Sequence, residues 1–304
     1  PQRNNTAMNT PPDDLVRQLA RVAEPLHSCS YYAEEITRFN AAGYNGWWHA
    51  YFGYRSAPLG AASAEQVTQV FYNFAPRMVE RAVPSCWEIL DPLQTRALHL
   101  QLVEEALSRI FHAYDFEHDL VELTEALKSG ISTLDSADKP LFAAWANEQW
   151  PNLPLMGLWH ASTLLREYRF DSHNHALRSA AVSGLGCHLL MVADGRGTPE
   201  IIQKIRGWTR EEWNEEAGLL FDRGWLDEDG RHTEMGRRQR KGIELETDRG
   251  CAPLGSIFDD ATASKILSTL ESTASFLVQT GVVPGTWPPK HLGQLDAASN
   301  GESG

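Results

Sequence analysis

His160, Arg166, Glu167, Asp171, His173 and His175 lie close together in the chain and are residue types that can move protons or hold anions. An imidazole beside a carboxylate can be tuned for proton transfer near neutral pH. A guanidinium such as Arg166 can hold a developing oxyanion or a substrate carboxylate. His160 and Glu167, seven apart, share one face of a helix, and Asp171 and His173 are expected in the turn that follows it. His160, Arg166 and His173 are therefore the candidate catalytic groups. The alternative for the same residues is a network of salt bridges and caps at a helix end.

A second constellation is aromatic. Trp47, Trp48, Tyr51, Phe52 and Tyr54 crowd together with His49, and Arg55 follows directly. On a helix these rings cover more than one face, so the segment must be buried or must line a pocket. Trp47, Trp48, Tyr51 and Phe52 are the candidate walls for a flat, apolar or polycyclic molecule, with Arg55 and Asn73 as further ligand contacts. Arg55 has two readings, as partner of an anionic ligand group or of an internal carboxylate.

Metal chemistry finds little support. His173 and His175, two apart on a helix, point to different faces, and no HExxH or Cys/His cluster occurs. His112, Asp115, Glu117, His118 and Asp119 are dense, but they read as surface charge. There is no P-loop, no GxGxxG after a strand, no GxSxG elbow and no kinase signature. No cofactor is expected.

The elements that must position these groups are helices. Asp13 or Asp14 can cap a helix bearing Leu15, Leu19, Val22 and Leu26; Ser63 caps another, with Pro76 as a kink; Asp91-Pro92 opens a third. Further helical periodicity covers 117–128, 137–149, 155–169, 174–193 and 259–280, with Asp171 and Ser172 at a boundary and Gly281 as a stop. Strand signals are nearly absent. The expected fold is all-α: a helical bundle with a winged-helix module and its short β-hairpin in the C-terminal half. The expected divisions are an unstructured tail at 1–12, a helical domain at 13–150, a winged-helix domain with a C-terminal helix at 151–281, and a second tail at 282–304. Gly43, Arg55 and Pro58 recur at constant offset as Gly184, Arg196 and Pro199, so the first domain is also readable as a degenerate winged helix.

Residues 174–248 follow the order of a winged helix. Gly195-Arg196-Gly197 makes a turn, Thr198-Pro199 opens a short helix ending at Gly207, and Thr209 caps the next helix, 210–223. Gly224 stops that helix, Asp229-Gly230 suits a type I′ hairpin turn, and Thr233 caps a closing helix rich in Arg. This layout resembles the MarR-type winged helix. In such a unit the second helix enters the major groove with its N-terminal residues at base edges. Here it reads Arg210-Glu211-Glu212-Trp213-Asn214-Glu215-Glu216, and the wing reads Asp227-Glu228-Asp229. Carboxylates beside phosphates cost affinity, so DNA is an unfavoured partner. Arg237, Arg238, Arg240 and Lys241 are expected to neutralise nearby acids.

A wider resemblance rests on Gly46-Trp47-Trp48, Tyr51-Phe52, Arg55-Ser56-Ala57-Pro58-Leu59-Gly60, Phe71 to Pro76, Leu158-Trp159-His160-Ala161, Leu164-Leu165-Arg166-Glu167 and Arg206-Gly207-Trp208. Together these look like an actinobacterial family of helix-turn-helix-containing proteins over about 30–280. The resemblance implies a fold and a bacterial origin. Where that family reads Gly-Asp-Gly-His after Leu-Leu-Arg-Glu, this chain has Phe170-Asp171-Ser172-His173, which keeps the His in register.

Composition sets the outer bounds. The 304 residues are 42% hydrophobic and 22% charged, as in a globular protein. A net charge of −13 disfavours both DNA and anionic membranes. Four scattered Cys and a polar start without a signal region point to reduced thiols in the cytoplasm, and no apolar run suffices for a membrane span. The expectation is a winged-helix-derived protein that binds a small apolar or polycyclic molecule, with acid/base isomerase or cyclase chemistry in actinobacterial specialised metabolism as its enzymatic form. A MarR-type ligand-responsive regulator and a non-catalytic sequestering protein are the rivals, and a homodimer is a further expectation.

Overall fold

The computed structural model describes residues 12–286. Apart from Pro12 and the stretch 282–286, where Val283 is buried, the expected tails lie outside the described residues.

Helix α1 (Pro12–Tyr32) carries Leu19, Val22 and Leu26 into the core as their spacing requires. Short helices follow: α2 (Arg38–Ala41), the aromatic α3 (Gly46–Ser56), α4 (Ala64–Val70), α5 (Pro76–Glu80) and α6 (Cys86–Ile89). Ser63 caps α4 in a reciprocal box with Gln66, and Asp91 does the same with Gln94 at the head of α7 (Pro92–Ile110). Pro76 does not kink α4. That helix ends at Val70, and Pro76 takes the first position of α5, where its missing N–H is harmless.

Helices α8 (Leu120–Ile131) and α9 (Pro140–Ala146) lead to α10 (Pro154–Ser179), on which the fold is arranged. It packs against α1, α7, α8, α9 and α14 (Glu234–Cys251). Its unbroken run corrects the expected boundary at Asp171 and Ser172. Both lie inside it, buried; the break comes later, at Ala181 with φ +51°, before α11 (Gly184–Ala193). The two residues resemble cap signals because Asp171 does cap a helix, though not its own. Its carboxylate accepts a hydrogen bond of 2.9 Å from the Phe142 N–H in the first turn of α9. Ser172 bonds back to the Tyr168 carbonyl.

The helix-turn-helix is α12 (Pro199–Arg206) and α13 (Arg210–Asp222). Thr198 caps α12, Gly207 ends it in the left-handed conformation, and Thr209 and Glu212 form the capping box of α13. The expected hairpin wing is not formed: among the described residues there is no strand, only one antiparallel bridge between Leu226 and His232. Thr233 bonds the Gly224 and Trp225 carbonyls and at once caps α14, which leaves no length for a ladder. Nor is the turn type I′, since Gly230 alone in it has positive φ (+72°); Gly230 N–H bonds to Asp227 as in a type I turn followed by a left-handed glycine. Helix α15 (Asp260–Gln279) closes the chain against α1.

Two apolar cores result. The larger takes α1 to α9, the first half of α10 and α15; the smaller takes the end of α10 with α11 to α14. The ring of Trp48 packs on both. Gly43 is left-handed at φ +106° whereas Gly184 opens α11, and Arg55 is buried whereas Arg196 is exposed, so the recurring residues occupy unlike settings. No single helix among the described residues is long and apolar enough to cross a membrane; α10 and α11 pass only as a pair bent by 97°.

Burial raises the Asp171 carboxyl from 3.8 to about 7, against the opposing N–H bonds from α9. A carboxyl whose folded pKa is raised binds more protons folded than unfolded, so its contribution to stability falls as pH rises between those two values. Asp171→Asn keeps an acceptor for Phe142 and should flatten that part of the pH–stability curve. Asp171→Ala should cost about 1–2 kcal/mol at pH 5, the worth of a cap. Urea denaturation at pH 5 and pH 7.5 checks both.

Candidate functional site

Helix α3 is buried over eight of its eleven residues, from His49 to Ser56, because nearly every face carries a ring. Phe52 and Tyr51 are core residues at 0% and 7% exposure; Phe52 packs edge-on against Phe71 and Phe74, and Tyr51 edge-on against Phe71 and tilted against Phe74. Trp47 and Trp48 stay partly accessible. Trp47 stacks on Tyr51 at 5.0 Å and donates its indole N–H to the Tyr31 carbonyl, while Trp48 meets Phe74 edge-on.

Arg55 takes the second of its two readings. It is 1% exposed, donates to Glu167 Oε1 and to the Tyr51 hydroxyl at 2.6 Å each, and lies over the Tyr31 and Phe71 rings. Burial is the largest influence and opposes its charge, but the Glu167 carboxylate together with Tyr31, Tyr51 and Tyr54 outweighs it and holds the pKa well above the ordinary value. Arg166 donates to the other Glu167 oxygen at 2.8 Å and reaches Glu24 at 3.3 Å, so one buried carboxylate serves two guanidiniums.

The expected catalytic trio does not meet. At about 100° per residue, His160, Glu167 and Asp171 fall on one stripe of α10, and Arg166, Phe170 and His173 on another roughly a third of a turn away. His160 is wholly buried beside Trp145 and Trp150, with its pKa lowered to about 3 by burial and by Arg96. His173 sits about three and a half turns further along a continuous helix, not in a turn. Its Nδ1–H donates to Thr247 Oγ1 at 2.9 Å, since the Thr247 hydroxyl is committed to the Ile243 carbonyl. That leaves Nε2 as an acceptor facing Cys187 Sγ at 3.8 Å. Burial lowers His173 to about 4 and raises Cys187 to about 11, so both are neutral at pH 7. His175 is exposed.

The second stripe of α10 lies among side chains of other helices: Arg166 and Tyr32 are charge neighbours of Arg206, and His173 contacts Cys187. Tyr32, Trp47, Trp48, Arg166, Phe170, His173, Cys187 and Arg206 come from α1, α3, α10, α11 and α12, and each is partly accessible. Yet burial is the leading influence on the pKa of Tyr32, Arg166, His173, Cys187 and Arg206. These groups are thus partly reached by water and largely surrounded by protein. Arg206 lies 4.2 Å over Phe74, its pKa lowered to about 10, and Arg166 lies 4.5 Å over Phe170. Cys187, Arg206 and Tyr32 were not legible as neighbours, because they lie on three different helices.

The helix-turn-helix is docked on the strip 70–78. The Asn73 carbonyl accepts from His188 Nε2 and Trp208 Nε1, Ala75 N–H donates to the Arg206 carbonyl, and Tyr72 donates to Val182. Arg77 grips Glu212 with two hydrogen bonds of 2.7 and 2.5 Å, which lowers that carboxyl to about 2. One side of the recognition helix's first turn is thus committed within the protein. Asn73 serves mainly through its main-chain carbonyl; its own Oδ1 is buried without a partner. The outward face of α13 presents Glu211, Asn214, Glu215, Leu219 and Asp222. Of the basic cluster, Arg240 pairs with Asp194 and Glu244, Arg237 bonds the His232 carbonyl, and Arg238 and Lys241 are exposed. Among the described residues no group of His, Cys, Asp or Glu could hold a metal, and Asp119 caps α8.

This is the architecture of a helix-turn-helix protein with extra helices built around the motif. A family model described as a helix-turn-helix family matches residues 16–284, and the chain belongs to that family. No curated protein and no solved structure matches it.

Replacing Glu167 by Gln leaves Arg55 buried beside a neutral amide. Removing one member of a buried pair costs about 3–5 kcal/mol. Chemical denaturation of Glu167→Gln should show a loss of that size, whereas Arg21→Ala, at an exposed pair with Glu271, should stay within about 0.5 kcal/mol.

Proposed function

We propose that this protein binds a small, largely apolar molecule in the crevice between its two cores and does not read DNA with its recognition helix. The observation that carries the binding reading is the set of partly accessible yet protein-surrounded side chains from five helices. Tyr32, Trp47 and Trp48 contribute ring surface, and the guanidiniums of Arg166, paired with Glu167 and Glu24, and of Arg206 stack on Phe170 and Phe74. His173, held as its Nδ1–H tautomer by Thr247, has its acceptor nitrogen against the Cys187 thiol, so the pair borders the site as a neutral, polarisable wall. Such a lining favours a flat, apolar ligand bearing an acidic or acceptor group.

The geometry supports binding more than turnover. His160 is separated from Arg166 and His173, and both imidazoles have pKa values too low for an efficient base at neutral pH. An acid/base enzyme of specialised metabolism, a MarR-type ancestry and an actinobacterial setting are finer forms of this proposal. Against a DNA-reading role stand the carboxylates on the exposed face of α13 and the Arg77–Glu212 clasp at its first turn.

Two measurements test the reading. The aromatic sulfonate ANS should bind saturably with enhanced fluorescence, and Trp48→Ala should weaken it at least tenfold, about 1.4 kcal/mol. Equal affinity in wild type and Trp48→Ala would remove the crevice as the site. Genomic DNA fragments at about 0.15 M salt should show no protein-dependent retardation, where a specific reader binds tightly; a discrete shifted fragment would restore the regulator.

A further inference from the structure

A second polar cluster lies away from the crevice, inside the larger core. Arg96 and His99 are one turn apart on α7, Trp145 is on α9, His160 on α10 and Tyr54 on α3. Their exposures are 5% for Arg96, 1% for His99, Trp145 and Tyr54, and 0% for His160. They gather around one indole. The Arg96 guanidinium lies 4.5 Å from the Trp145 ring centre, and the His99 and His160 rings each lie 6.3 Å from it. Tyr54 stacks on His99 at 4.3 Å, and Trp150 covers His160 edge-on at 4.9 Å.

The polar atoms of this cluster have no hydrogen-bonding partner within the protein: all three guanidinium nitrogens of Arg96, both ring nitrogens of His99 and of His160, Trp145 Nε1 and the Tyr54 hydroxyl. Arg96 Nε has an ion pair with Glu148 at 3.2 Å, which partly offsets the burial of its charge, and Glu148 is itself 27% exposed. A buried polar group left unpaired costs about 1–3 kcal/mol, and more when charged, so several in one place demand an occupant.

The chemistry of the atoms selects that occupant. A guanidinium brings five N–H donors, and the indole, the phenol and each neutral imidazole bring one apiece. The acceptors are only the second imidazole nitrogens and the phenol oxygen. Donors are in surplus, and the Arg96 charge is met at Nε alone by one part-exposed carboxylate, Glu148. Water carries as many donors as acceptors and no charge, so it leaves the donor surplus as it is. A carboxylate only accepts, carries the opposite charge, and matches the guanidinium fork in a plane. We propose that Arg96, His99 and His160, walled by Trp145 and Trp150, form a buried receptor for a small carboxylate. The stretch 147–153, which carries the partly accessible Glu148 and Trp150, is the route in. This site is independent of the crevice.

The test uses the full chain in carboxylate-free buffer, titrated with sodium acetate and, at matched ionic strength, with sodium chloride. Indole fluorescence reports the site through Trp145 and Trp150. Acetate should give a saturable change, with a Kd of about 1 mM or tighter, and a rise in melting temperature that chloride does not give. Arg96→Met and His160→Phe, checked for folding by circular dichroism, should each weaken acetate at least tenfold while ANS binding is unchanged. Identical responses to acetate and chloride in the wild type would overturn the proposal whether or not the variants fold. Acetate affinity retained in both folded variants would overturn it as well.

Discussion

Glu167 sets the terms for this fold. It is wholly buried in the middle of the longest helix, where an ionised carboxylate is tolerable only with cations and hydrogen bonds around it. Arg55 supplies one cation from the aromatic helix, and Arg166 supplies another from the next position on α10. That requirement draws α3 onto α10 and buries Tyr51, Phe52 and Tyr54 with it. It also fixes which face of α10 looks into the crevice and which looks into the larger core.

The helix-turn-helix is fastened to the rest of the protein through its first turn and its connecting turn. Its first turn is clasped by Arg77, its connecting turn is held by Asn73, and the Cβ that an alanine would carry at Gly184 would fall 1.8 Å from the Tyr72 carbonyl. A motif that elsewhere presents its second helix to a groove is thus tied to the 70–78 strip, with carboxylates on what it leaves exposed. Loss of the hairpin wing follows from the same compactness, since Thr233 joins the end of α13 directly to the start of α14.

One helix divides two kinds of polar site. Along one stripe of α10, Arg166 and His173 border a recess that solvent reaches. Along the other, His160 joins Arg96 and His99 where solvent does not. The imidazoles of both sites are kept neutral by burial, so each acts at pH 7 through one N–H and one lone pair rather than through charge.

The all-helical class, the helix starts at Ser63, Asp91 and Thr209, the turn glycine at Gly207 and the acidic recognition helix were all legible in the chain. Those features are set by neighbours within a few residues, and local spacing reports them. The internal carboxylate partner of Arg55 was also among the readings of the residues alone. The continuity of α10 was not legible. Asp171 carries the signature of a cap, and nothing local tells that it caps α9 across the core rather than its own helix. The expected meeting of His160, Arg166 and His173 rested on a turn at that point; an unbroken helix keeps His160 apart from the other two. Arg96 and His99 gave no motif, for their meaning depends on Trp145 and His160 arriving from other helices. What a residue's type offers is written in the chain; which partners it meets, and whether water reaches them, is decided when distant helices pack.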